Sequence, residues 1–188
     1  MQRRSAQVAQ TRERILDAAL ELFSERGAQG TTMHELARRA DVAPTTVSNH
    51  FNTQESLIDA VVERILVDIR VPDSTIFVGA RSVTARLRIL TKSMFEFYER
   101  TMHWIDLLGA ELEEVPALAR AQAAFWRSIH HLYEEALAGS DDDVLAKTTA
   151  GLLYPATFGA LKAAGMSVDE SAEVVADFLA HQGGGDHR

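Results

Sequence analysis

Residues 11–66 read TRERILDAALELFSERGAQGTTMHELARRADVAPTTVSNHFNTQESLIDAVVERIL, and this stretch decides the fold. Ile15, Ala18, Ala19, Leu22 and Phe23 recur at i, i+3, i+4, i+7 and i+8, which lays one apolar face along a first helix. Gly27 supplies a left-handed stop. Thr32 and Glu35 have the spacing of a capping box, and Met33, Leu36, Ala37 and Ala40 form the next buried stripe. Asp41 and Val42 fall in a turn. Pro44 suits the first position of a third helix, where its missing N–H is not needed. On that helix Val47 and Phe51 point inward one turn apart, leaving Thr45, Ser48 and Asn49 outside with Thr46 and His50 flanking. Leu57, Ile58, Val61, Val62, Ile65 and Leu66 give a fourth helix a long apolar stripe. A short helix, a tight turn and a second helix exposing hydroxyls and amides is the arrangement that places side chains in a DNA major groove.

Outward from this stretch, 188 residues leave room for a larger body beyond a small reader. Residues 71–82, VPDSTIFVGARS, read as a linker whose only strand-like piece is the apolar run at 76–78. Helical periodicity then resumes and predicts helices at about 82–100, 102–112, 117–138, 142–164 and 168–181, with Gly139 and Gly165 marking ends. The acidic run 141–143 puts negative charge at a helix N-terminus, and Ser167 with Glu170 makes another capping box. Pro155 predicts a kink or local break within 142–164. The expected fold is all-α. A flexible arm (1–10) precedes a three-helix helix-turn-helix domain (11–53). A long connecting helix (54–69) leads to a helical ligand-binding and dimerisation domain (70–182), followed by a disordered tail (183–188).

Composition sets the class. Hydrophobic residues make up 46% and charged residues 24%, an ordinary globular profile, and there is no cysteine for a disulfide or thiolate metal site. Charged residues interrupt what would have to be an apolar signal-peptide core. The longest nearly uncharged stretch, 148–161, contains Pro155 and falls short of the roughly 18 apolar residues a membrane span needs. A cytoplasmic protein without a membrane partner is expected. The net charge of −8 runs against a polyanionic partner, but its distribution does not. Residues 1–54 hold seven arginines against six acids, whereas residues 55–188 hold 12 basic and 21 acidic side chains. The acid sits in the body and the reader is close to neutral.

Residues 11–66 resemble the N-terminal domain of the TetR family of bacterial transcriptional regulators. The resemblance is carried by Arg14-Ile15-Leu16, Ala18-Ala19, Leu22-Phe23, Gly27, Thr31-Thr32, Leu36-Ala37, Ala40, Val42, Thr46-Val47, His50-Phe51 and Leu57. It implies an all-helical homodimer with a C-terminal effector pocket, its two final long helices forming a four-helix bundle across the dimer. It implies a repressor released from pseudo-palindromic operator DNA by a small molecule. The alternative from a different class is a small-molecule-binding helical protein that no longer binds DNA strongly. Three positions depart from the family pattern. Ala43 stands where Ser precedes the recognition helix, Ser48 replaces an aromatic hydroxyl, and Gln54 replaces a lysine that opens the fourth helix. Candidate phosphate contacts are Thr31, Thr32, Thr46 and His50, with Gln54 at the lysine's place. Candidate base readers are Thr45, Ser48 and Asn49, since an amide can bond adenine in two places. Each has a blander use, because Thr pairs cap helices and Ser-Asn pairs line solvated faces. Arg3 and Arg4 could reach phosphate or a minor groove.

The body supplies Phe95, Tyr98, Met102 and Trp104, then Phe125, Trp126, Ile129, His130 and Tyr133. Most such residues simply build a core. Trp, Tyr and His together still suggest a mainly apolar pocket, because each carries a polar end that needs a partner when buried. Leu152, Ala156, Gly159 and Ala163, then Val175, Phe178 and Leu179, give the last helices small residues and spare apolar faces, which suits a dimer interface. No catalytic residue, metal site or cofactor is expected. There is no nucleophile elbow, phosphate loop or dinucleotide fingerprint, and His130-His131 with Glu134 and Glu135 reads as a surface patch.

Overall fold

The computed structural model describes residues 2–69 and 71–183, with the backbone only at 2–4, 68 and 183. The fold is all-helical. Its helices are α1 (Gln2–Arg26), α2 (Met33–Arg39), α3 (Pro44–His50), α4 (Gln54–Ile69), α5 (Val83–Gly109), α6 (Pro116–Leu137), α7 (Asp143–Leu152), α8 (Pro155–Ala163) and α9 (Val168–Gly183). Among the described residues no helix is long and apolar enough to cross a membrane. Residues 2–10, expected as an arm, are helical and continue α1. Nothing in that stretch breaks a helix, since it holds neither glycine nor proline. The side chains of Arg3 and Arg4, and the tail beyond residue 183, lie outside the described residues.

The chain divides into two compact units. One comprises residues 1–68 and 103–123, the other 69–102 and 124–188. Residues 103–123, expected in the C-terminal domain, therefore pack with the N-terminal helices.

In the first unit Ile15, Ala19, Leu22 and Phe23 of α1 are buried against Leu36 and Ala37 of α2, Val47 of α3, and Leu57 and Val61 of α4. The Thr32 capping box closes the start of α2, with the Thr32 side chain accepting from Glu35 N and the Glu35 side chain accepting from Thr32 N. The turn into α3 bends at Asp41, whose φ of +52° is a left-handed value that Asp tolerates better than most residues. Arg14 reaches across from α1 to secure it, its Nη2 donating to the carbonyls of Ala40 (2.6 Å) and Asp41 (2.9 Å). α3 then starts on Pro44 with no side-chain cap, because Ala43 has nothing to offer.

In the second unit Leu87, Leu90, Met94, Phe95, Phe97 and Tyr98 form the buried face of α5, against Ile129, Leu132, Leu145, Phe158 and Leu179. Two findings revise the predicted elements. The helices expected at 82–100 and 102–112 are one, since no breaker separates them and Thr101 keeps its buried hydroxyl satisfied by donating to Phe97 O at 2.9 Å. The helix expected at 142–164 is two, as Pro155 foretold. Pro155 has no N–H for Gly151 O, and the Thr157 hydroxyl donates to that oxygen instead at 3.0 Å. The apolar piece at 76–78 falls in a short 3-10 helix, Ser74–Phe77, opened by Asp73 accepting from Thr75 N.

Candidate nucleic-acid interface and aromatic cluster

Val47 is fully buried and Phe51 nearly so, which fixes the rotation of α3 and turns Thr45, Ser48 and Asn49 outward. Thr46 and His50 are half-buried at the flanks. Ser48 donates to Pro44 O at 3.3 Å within the helix, so its oxygen stays free to accept while its proton is engaged. Two candidates sit otherwise than expected. Thr31 is buried, and its hydroxyl donates to Gly27 O at 3.0 Å, which removes it from the outer surface. Gln54 turns its amide toward Ala28 O at 3.5 Å rather than outward. Thr32 is exposed, but its hydroxyl is committed to the capping box.

The arginines of this unit are mostly occupied. Arg14 serves the Asp41 turn, and Arg12 lies over the Phe51 ring at 5.2 Å. Arg26 bonds Glu35 at 2.8 Å. Arg39 bonds Glu21 at 3.0 Å and Glu25 at 2.9 and 3.0 Å, and its hydrogen bonds hold the Glu25 carboxyl below the usual carboxylate range. Arg38 differs. It is exposed on α2, one turn from exposed His34, and engages no acid among the described residues. Sequence reading passed over this pair. The available signal was angular: Arg39 faces the acids of α1, so its neighbour, about 100° round the helix, cannot.

In the second unit the structure brings together most of the aromatic candidates. Phe95 packs on Phe158 with ring centroids 5.1 Å apart, Phe97 stacks on Phe125 at 5.7 Å, and Trp126 stacks on Tyr154 at 5.5 Å. Tyr98 is fully buried and Tyr133 nearly so. Burial pushes both phenols well above their ordinary value, and the neighbouring Tyr133 adds to the effect on Tyr98. Ile129 is buried in the same core, and Met102 is half-buried beside α8. Trp104 belongs to the first unit instead, and His130 is exposed on α6. Leu153 O, Tyr154 and Phe158, which complete the cluster, were not foreseen. They lie just around the Pro155 break, where periodicity alone does not set direction.

The candidate interface residues divide in the same way. Ala156, Ala163 and Phe178 are exposed and Leu152 is half-buried, but Val175 and Leu179 are buried in their own unit. Gly159 serves internal packing, since a Cβ there would lie 3.1 Å from the Met102 methyl. Exposed Val174, one turn before Phe178, extends the outward apolar face of α9.

A short α2, a turn at Asp41 and an outward-facing α3 held by Val47 form a helix-turn-helix reader. The family model for "Bacterial regulatory proteins, tetR family" matches residues 15–61. The chain is 27% identical over 124 residues to the HTH-type transcriptional regulator BetI of Paraburkholderia phymatum, across 63% of each chain. It is 39% identical over 66 residues to the HTH-type transcriptional regulator UidR of Escherichia coli K12, across 33% of this chain and 34% of that one. These matches span less than two thirds of the curated relatives' length. The likeness of fold reaches further. A TetR-like transcriptional regulator from Rhodococcus sp. RHA1 aligns with a TM-score of 0.63 at 20% identity, over 92% of this chain and 94% of that one. The multidrug binding protein EbrR, complexed with imidazole, aligns with a TM-score of 0.60 at 20% identity, over 94% and 92%. Residues 15–61 thus carry the N-terminal domain of the tetR family of bacterial regulatory proteins, and the chain as a whole shares the fold of TetR-like regulators.

Proposed function

We propose that the protein is a dimeric transcriptional regulator, a repressor that leaves operator DNA when a small, mainly apolar ligand binds its aromatic core. The observation that carries the DNA half is the rotation of α3, which buries Val47 and presents Thr45, Ser48 and Asn49 together. The ligand half is supported by the buried aromatic cluster with two phenolic hydroxyls, and by a structural relative described as a multidrug binding protein. Dimerisation follows from the geometry of reading, because a lone helix-turn-helix covers only half a palindromic site. Operator DNA, an effector and a second copy of the chain are then its partners, in the cytoplasm.

A second reading is favoured by the charge arrangement: a ligand-binding helical protein whose reader holds DNA only weakly. Arg14, Arg26 and Arg39 are spent inside the reader, and Gln54 stands toward Ala28. Phosphate contacts supply much of the affinity for DNA. A gel-shift against duplex DNA flanking the protein's own gene decides between the readings. A discrete shift that survives competitor DNA supports the regulator, and its absence at moderate salt supports the second reading.

A further inference from the structure

The turn between α1 and α2 is held by a residue from far along the chain. Glu111, in the loop between α5 and α6, accepts the backbone N–H of Ala28 at 2.8 Å and that of Gln29 at 3.1 Å. Gly27 makes this approach possible in two ways. Its φ of +78° is a left-handed value, and a Cβ there would lie 2.2 Å from the Glu111 carboxylate. The same corner of the first unit makes further polar contacts. His103 Nε2 lies 3.2 Å from the Ser24 hydroxyl and carbonyl, and Arg120 reaches Glu55 at 3.3 Å and Asp59 at 3.0 Å on α4. A crevice of about 340 Å³ lies alongside, bordered by Gln29, Gln54, Glu114 and Val115. Val115, Ala117 and Leu118 are buried at this corner, and the hydrogen bonds fix its register against the turn.

A carboxylate accepting two backbone N–H groups makes charge-assisted bonds. Because Ala28 is fully buried whereas Gln29 is exposed, losing the acceptor leaves the Ala28 N–H as the donor without a partner. The turn is linked directly to α2. Thr31 bonds back to Gly27 O through its hydroxyl, and Thr32 caps α2 in the next position. We propose that Glu111 is the positioning residue through which the α5–α6 corner sets the α1–α2 turn, and with it the α2–α3 reading pair. This rests on the DNA-reading proposal above. Both α5 and α6 continue out of the first unit, and the loop that joins them carries this carboxylate.

The test compares the full chain with E111A, E111Q and E113A. Amide hydrogen exchange is read at Ala28 and Gln29, and affinity is read by anisotropy on labelled duplex from upstream of the protein's own gene. E111A should speed exchange at both amides and weaken DNA binding about 5-fold or more, the lower edge of ordinary coupling. E111Q keeps one acceptor oxygen and should fall between. Glu113 is exposed on the same corner, so E113A removes the same charge without touching the turn. It should leave exchange unchanged and DNA binding equal or tighter, because a repelling charge has gone. Unchanged exchange in E111A overturns the inference. Faster exchange with wild-type DNA affinity also overturns it, since the clamp would then be structural only. If E111A fails to fold, E111Q carries the same comparison. A wild-type chain that binds no flanking duplex overturns the DNA reading instead, and the exchange measurement still decides whether Glu111 holds the turn.

Discussion

Tyr98 and Tyr133, on α5 and α6, aim their hydroxyls at one acceptor. Both donate to the carbonyl oxygen of Leu153, at 2.9 and 3.0 Å, where Pro155 interrupts the α7–α8 path. A carbonyl has two lone pairs, so one tyrosine can satisfy it when the other is removed. Tyr98→Phe or Tyr133→Phe alone should each cost about 1 kcal/mol in denaturant unfolding. The double variant leaves a buried carbonyl without a partner and should cost about 1–3 kcal/mol beyond the sum. Strict additivity would show that the two bonds are independent.

The same pair predicts an alkaline limit to stability. Burial raises both phenol pKa values in the folded state, so the folded chain holds these protons more tightly than the unfolded chain. Their contribution is therefore fully present below about pH 10, the unfolded value, and is lost as pH rises through the higher folded values. Unfolding free energy should fall above pH 10 by up to about 2.7 kcal/mol per pH unit for two groups. The double phenylalanine variant should lose most of that slope. An equal slope in both proteins would place the alkaline sensitivity elsewhere.

The reader was legible in sequence because every level agreed there: the spacing of Ile15 to Phe23, the Thr32–Glu35 box and Pro44 at a helix start all recur as local structure. Pro155 was legible for the same local reason. What sequence could not supply was direction. Thr31 and Thr32 are adjacent and chemically alike, yet one turns inward to Gly27 and the other faces solvent. Gly159 and Ala163 share a small-residue stripe, but only Gly159 admits the Met102 methyl. Glu111 carries no local motif at all. Its role comes from a partner more than eighty positions away, which periodicity cannot reveal.

Asn49 is exposed on the outer face of α3, whereas Thr46 is half-buried at its edge. If Asn49 meets a base edge, Asn49→Ala should cost about 1–3 kcal/mol on the operator and relax selectivity at one position. Thr46→Ala should weaken specific and non-specific DNA alike. Competition titrations with single-position operator variants separate the two, and equal losses on all DNA would remove the assignment of roles.

Arg38 and Arg39 carry the same charge on adjacent positions, but Arg39 is bound by Glu21 and Glu25 while Arg38 is free of such partners among the described residues. Arg38→Ala should lower the slope of log affinity against log salt by about one per protomer, about two for the dimer on a full site, as expected when one phosphate contact is lost from each half. Arg39→Ala should leave the slope nearly unchanged and act through the α1–α2 packing it ties. Anisotropy titrations over a salt series read the difference directly. A larger slope change for Arg39 than for Arg38 would reverse the assignment.

Phe178 and Leu179 are neighbours on α9 with opposite surroundings, Phe178 being half exposed beside exposed Val174, and Leu179 fully buried. A charge at Phe178 costs the isolated protomer little, because that ring faces outward. Should α9 lie at a dimer seam, the same charge has no partner there and is expensive to desolvate. Phe178→Asp should therefore yield a folded monomer by light scattering, with its melting curve still cooperative and its operator affinity reduced to that of a single half-site. Leu179→Asp buries a carboxylate in the protomer's own core and should destabilise or unfold the chain whatever its oligomeric state. A Phe178→Asp protein that stays dimeric would move the seam away from this face of α9. Loss of folding in both variants would mean that the Phe178 ring serves its own protomer rather than a partner.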